Sequence, residues 1–123
     1  MKQFTHGFSI IPLSQIKSKY RQHVIFVDNP KIIPFLASDP VTLEPEAIED
    51  DSGHYYSYTF SALVKDDAVM KCNGRKAILC LTLSDGSVRY FGDLDSAPII
   101  SVTPYPGKFL VKSTLYSRDA VIL

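Results

Sequence analysis

Residues 76–123 read as a strand, a tight turn, a second strand and two further strands, with no helical period along them. Lys76–Ser84 runs into a turn at Ser84-Asp85-Gly86-Ser87. Val88–Gly92, Pro98–Thr103 and Phe109–Tyr116 follow, and the apolar stretch Ala120-Val121-Ile122-Leu123 comes last. Short apolar runs punctuated in this way, with two of the connections tight, are the pattern of an antiparallel sheet. No cluster of chemically active residues accompanies them. The pattern therefore constrains the kind of fold far more than it constrains the task.

The rest of the chain agrees with that class. With 123 residues it has the length of one domain with one core, residues 1–123. Seven Tyr and seven Phe without a Trp, beside many Val, Ile and Thr, suit pleated, half-buried surfaces. The expectation is a mainly β protein: a single antiparallel β-sandwich or β-barrel-like domain with one short helix near the N-terminus. Thirteen basic and thirteen acidic side chains cancel, so there is no overall field to draw in nucleic acid or an anionic membrane. Met1–Phe8 lacks the apolar core of a secretory signal, and no apolar run approaches the ~18 residues that span a bilayer. A soluble protein made in the cytoplasm is expected. Cys72 and Cys80 have no C-x-x-C spacing and read as packed thiols, with no cofactor or metal implied.

Along the chain, Phe4–Leu13 reads as a first strand. Leu13, Ile16 and Tyr20 then fall at helical spacing, and Ser14 is placed to cap a turn of helix or a short helix of about two turns, with Lys17 and Arg21 on one face. His23–Val27 reads as a buried strand closed by Asp28-Asn29-Pro30. Residues 31–54 read as a loop or arm: Lys31–Leu36 is extended but carries Pro34, which restricts it to an edge, and Ser38–Gly53 is a surface connection. Tyr55–Lys65 alternates, with Tyr56, Tyr58, Phe60, Ala62 and Val64 on one face; Ala77, Leu79, Leu81 and Leu83 do the same in a later strand. Ala68–Cys72 is expected as a short strand between turns.

Candidate chemistry is sparse. Glu44, Glu46, Glu49, Asp50 and Asp51, followed by His54, are the densest polar cluster, but the spacing does not match a calcium-binding loop. A solvated acidic loop is the simpler reading; a hydrolase or metal enzyme centred on His54 is the enzymatic alternative. His6, His23 and His54 lie far apart, none in a nucleophile motif, and the isolated glycines form no phosphate-cradling loop. Lys17, Lys19, Arg21 and His23 around Tyr20 form a local basic patch. Tyr55-Tyr56-Ser57-Tyr58 sets aromatic rings on both sides of one strand, as a stacking platform or an interface would.

Leu81-Thr82-Leu83-Ser84-Asp85-Gly86, then Val88-Arg89-Tyr90-Phe91-Gly92, then Ala97-Pro98-Ile99-Ile100-Ser101-Val102-Thr103 resembles a pattern in small phage and prophage proteins of Bacteroides-type bacteria. The likeness covers about the last 45 residues. It implies a virion component of the neck or tail, acting through self-association and docking on other assembly proteins, and brings no catalytic residues with it. The leading expectation is thus a non-enzymatic structural or interaction protein. Its candidate contact residues are Lys17, Arg21, Tyr55, Tyr58, Tyr90, Phe91, Ile122 and Leu123. The alternative is a small nucleic-acid- or ligand-binding module of the oligonucleotide-binding barrel type, using Tyr55, Tyr58, Tyr90 and Phe91 with Lys17 and Arg21.

Overall fold

The computed structural model describes residues 4–20, 22–51, 53–94 and 97–117. Among these residues ten strands are formed: β1 (Phe4–Pro12), β2 (Ile16–Tyr20), β3 (His23–Phe26), β4 (Ile33–Leu36), β5 (Thr42–Asp50), β6 (Gly53–Val64), β7 (Ala77–Leu83), β8 (Val88–Phe91), β9 (Ser101–Tyr105) and β10 (Lys108–Ser117). They make two four-stranded sheets and a hairpin. Sheet I has the order β4-β1-β7-β8, sheet II the order β5-β6-β10-β9, and β2 pairs with β3. Every pairing is antiparallel. Both sheets are open, so the barrel half of the sequence expectation is overturned: β4 and β8 end one sheet, β5 and β9 the other.

Alternation builds the core. Phe8, Ile10, Leu79, Leu81 and Phe91 from sheet I meet Phe60, Ala62, Val64, Val102 and Val111 from sheet II in one buried cluster. Phe8 joins the two sheets, packing edge-on against Phe60 with ring centroids 5.2 Å apart and stacking on Phe35 at 5.6 Å. Ala37 bridges to Val64 where the chain leaves β4 for sheet II.

Sheet I is buried on its second face too. There Ile11, Ile16 and Ile78 form a separate cluster with Val24, Phe26, Cys80 and Tyr90, because the β2–β3 hairpin lies over it. This explains the sequence Ala-Ile-Leu-Cys-Leu-Thr-Leu of β7, where both parities are apolar, beside the stricter alternation of β6. A strand covered on both sides has no polar face to present.

Three local expectations change. Of the two lengths expected at Ser14 the shorter is formed, a single 3-10 turn, Leu13–Gln15, which Ser14 does not cap, and Ile16–Tyr20 pairs with β3 instead of continuing a helix. So short a helix has little stability of its own, and Ile16 is instead buried against Ile11 and Ile78. Ala68–Cys72 is not a strand but part of a 3-10 helix, Asp67–Cys72, because the Asp66 carboxylate caps it by accepting the Ala68 N–H at 2.9 Å. Ser38–Gly53 is not a plain connection: nine residues of it form β5, which pairs with β6 throughout. Its acids and Pro45 argue against an interior strand only, and β5 is an edge. Of the buried strand expected at His23–Val27, His23–Phe26 is formed, and it is half-exposed, since the hairpin buries only one of its faces.

Candidate functional site

The outward face of sheet II is the broad surface left without an apolar layer over it among the described residues. Register places its side chains in rows across the strands. Thr42, Ser61, Lys112 and Ser101 form one row, Glu44, Thr59 and Thr114 the next, and Glu46, Ser57 and Tyr116 a third. Hydroxyls thus run down the middle, with carboxylates along β5 and the Lys112 ammonium towards β9. At the end of these rows Tyr55 and Tyr116 meet edge-to-face, centroids 6.0 Å apart, and Tyr116 remains 63% exposed. Ser57, directly across from Tyr116, is buried.

Tyr116 also borders a groove of about 540 Å³ between residues 97–101 and the end of β10. β9 pairs with β10 only as far as Lys112, so Ser113–Ser117 has no strand beside it on that side among the described residues. Ser113 reaches across instead, its hydroxyl donating to the Ile99 carbonyl at 3.1 Å. Ile99 is exposed on the opposite wall.

The sheet edges are guarded. β4 carries Pro34, β5 carries Pro45 with Glu44, Glu46 and Glu49, and β9 carries Pro104. A proline removes a donor where a further strand would need one, and charge at an edge opposes stacking of chains. On β8 the protection comes from a distant residue. Gln22 Nε2 donates to the Tyr90 carbonyl at 2.9 Å, and the Tyr90 N–H donates to Gln22 Oε1 at 2.7 Å.

The residues singled out from sequence are dispersed. Tyr55 lies on the outward face of sheet II, whereas Tyr58 is buried on the inward one with its ring 6.5 Å from that of Tyr56. Phe91 is in the core beside Phe4. Tyr90 faces the other way, under the hairpin, with its ring 6.3 Å from Phe26. A shared stacking platform of Tyr55, Tyr58, Tyr90 and Phe91 is therefore not formed. Lys17 is exposed at an irregularity of β2, and Tyr20 and His23 stand directly across the hairpin from one another. The basic patch thus lies on a hairpin, not a helix. Arg21, Ile122 and Leu123 lie outside the described residues. The residues that sequence reasoning missed are Lys112, Thr114 and Tyr116. Their signal was there: Lys112 and Thr114 set a polar parity in β10, and Tyr116 shares it.

The acidic cluster is spread along β5. Glu44 and Glu46 are exposed on the outward face, while Glu49 pairs with His54 at 3.3 Å, both side chains 76% exposed. Among the described residues no three His, Cys, Asp or Glu side chains come together in a way that could hold a metal ion. Cys72 and Cys80 are free thiols that pack against different clusters. Burial pushes both thiols above the ordinary value, with the Arg75 charge opposing this at Cys72. Burial, and then the nearby Cys80, pushes the Tyr90 phenol up as well. Among the described residues no helix is long and apolar enough to cross a membrane.

Compared with protein-family models, with curated proteins and with solved structures, the chain matches none.

Proposed function

We propose that the protein is a non-enzymatic interaction module that docks through the outward face of sheet II, on neighbouring copies of itself and on other proteins of a larger assembly. One observation carries this: the sheet edges are guarded, while the flat hydroxyl-rich face with Tyr55 and Tyr116 at its end stays open. Tyrosine favours such a role because it offers an apolar ring with a polar rim and little rotamer entropy to lose.

Size argues for a modest contact. Four strands at ordinary spacing and rise give a face of roughly 500 Å², against about 800 Å² per partner in a standard interface. A partner therefore gains by following the surface past Tyr116 into the groove beside Ile99. The polar character suits a hydrated, reversible contact better than an obligate one. The finer reading, a virion neck or tail component, rests on the resemblance of the C-terminal residues alone.

The test is the mass of the purified protein by light scattering across concentration, for the natural chain and for Tyr116→Glu. Concentration-dependent association that Tyr116→Glu abolishes, with unchanged thermal stability, supports the reading. A natural chain that stays monomeric, or association indifferent to Tyr116→Glu, rejects self-docking through this face.

A further inference from the structure

The β2–β3 hairpin does more than cover the outer face of sheet I. The register of β7 and β8 pairs Leu79 with Phe91, Cys80 with Tyr90 and Leu81 with Arg89. At the turn, the Leu83 N–H donates to the Ser87 carbonyl at 2.8 Å, which makes Leu83 and Ser87 a hydrogen-bonded pair. In an antiparallel ladder such pairs alternate with non-bonded ones. Leu81–Arg89 and Leu79–Phe91 are therefore the bonded pairs, and Val88 and Tyr90 turn their backbone N–H and C=O away from β7, towards the open edge.

At Tyr90 that edge is occupied. The Gln22 carboxamide presents one donor and one acceptor, and both reach the Tyr90 backbone, at 2.9 and 2.7 Å, across 68 residues of sequence. A carboxamide so placed reproduces what one peptide unit of a neighbouring strand would offer. Gln22 is held there from several sides. Val24 and Phe26 pack with Cys80 and Tyr90 beneath the hairpin. Lys19, its side chain only 3% exposed, reaches the Asp93 carboxylate just beyond β8 at 3.2 Å. The Val27 N–H donates to the Gln15 carbonyl at 3.1 Å, fixing the far end of the hairpin. β8 differs in this respect from β4, β5 and β9, which each carry a proline.

We propose that Gln22 is a side-chain surrogate strand that closes the β8 edge against strand addition by a second copy of this chain. When the hairpin is in place the Tyr90 peptide is satisfied internally. Without the Gln22 carboxamide, Val88 and Tyr90 together would offer two adjacent sets of unpaired groups to another β8. This device is separate from docking through sheet II, because the two sites lie on different sheets.

The experiment uses the full chain and the variants Gln22→Ala, Gln22→Glu and Gln22→Ala with Val88→Lys. Hydrogen exchange resolved to β8 reads the cap, and light scattering across concentration reads association. In Gln22→Ala, exchange at Tyr90 is expected to accelerate by about tenfold or more, while Leu79 and Leu81 keep their protection. The variant is also expected to associate more strongly than the natural chain. Gln22→Glu keeps the acceptor but not the donor, so its phenotype is intermediate at neutral pH and is relieved in acid, where the carboxyl regains a proton to donate. Val88→Lys places a charge on the edge and is expected to reverse the added association without restoring Tyr90 protection. Unchanged Tyr90 exchange in Gln22→Ala overturns the cap. Faster exchange without added association, or added association that Val88→Lys leaves intact, overturns the guard. A result confined to Tyr116→Glu touches only the sheet II reading.

Discussion

Gly92 ends β8 in a conformation and a space that admit only glycine, and the two constraints can be separated by experiment. Its φ is +104°, and a Cβ built there falls 2.6 Å from Pro98 Cδ and 3.1 Å from Ile78 Cδ1. A side chain at positive φ costs about 1–3 kcal/mol. Ordinary carbon contacts lie at about 3.5–4.0 Å, so the proline ring must retreat by roughly 1 Å. Little room exists for that: Pro98 is buried, and its carbonyl accepts the Ala77 N–H at 3.1 Å at the start of β7. Overpacking of this kind adds about 1–3 kcal/mol. Alanine returns about 0.4–1 kcal/mol by restricting the unfolded chain.

Gly92→Ala is thus expected to cost about 1–5 kcal/mol, a large fraction of the stability of an ordinary domain. Gly86→Ala is the control. Gly86 has φ +88° in the β7–β8 turn but nothing within 4 Å of the added Cβ, so it meets the conformational cost alone. Urea denaturation measures both. With a slope of about 1–3 kcal/mol per molar, the Gly92→Ala midpoint should lie about 1 M below that of Gly86→Ala, with the slope unchanged. Equal midpoints would refute the steric argument and leave backbone conformation as the whole effect.

Burial on both faces of sheet I predicts that Ile78→Ala and Leu81→Ala each cost about 2–5 kcal/mol in urea denaturation although they point to opposite faces. Thr59→Ala, on the open face of sheet II, should stay within about 0.5 kcal/mol; near-neutrality of Ile78→Ala would show that the hairpin does not seal its face. The thiols of Cys72 and Cys80, ordinarily at 9.0, and the Tyr90 phenol, ordinarily at 10.0, are all raised by burial. The folded state then holds protons that the unfolded state has released, so stability is full below these ordinary values and falls as pH rises through them. Urea midpoints should be flat on the acid side of 9.0 and drop in alkali, less steeply in Cys80→Ala; a flat alkaline limb would contradict this. Asp66→Ala, which uncaps the 3-10 helix, should cost about 1 kcal/mol, and an unchanged melting temperature would show that Val69 alone holds that segment.

The strands easiest to read were those whose local pattern and tertiary burial agree. Tyr56, Tyr58, Phe60, Ala62 and Val64 alternate in sequence and all point inward, the last four buried. The Asp85-Gly86 turn needed positive φ, and Gly86 has it. Reading failed where a residue's local preference was ambiguous between two uses. Asp66 reads as a turn residue and as a helix cap; Pro45 reads as a break and as an edge-strand residue; Leu13, Ile16 and Tyr20 fit a helix by spacing. In each case a contact far away in sequence decided: Ile16 with Ile78, and β5 with β6. The contact residues were less legible still. Tyr55 and Tyr58 are three apart and look alike in sequence, yet one edges the open face and the other fills the core.

That difference follows from how a sheet uses aromatic residues. A tyrosine buried in a core and a tyrosine offered to a partner both sit in an alternating strand, and only the second layer tells them apart. For sheet II the second layer is sheet I, reached through Phe8 and Phe60. For the far side of sheet I it is the hairpin, to which the apolar strand His-Val-Ile-Phe brings Val24 and Phe26 while the more polar Ile-Lys-Ser-Lys-Tyr brings Ile16. Two small features let the polar side of the hairpin take part in that cover. Lys19 runs its aliphatic stem inward and keeps its ammonium on Asp93, and Gln22 gives its amide to a backbone rather than to water. A side chain that substitutes for a strand costs the chain one residue instead of four or five. The guard on β8 is therefore also the one most easily lost to a single substitution, which makes Gln22 the position where a change in sequence would most directly alter how this chain meets another.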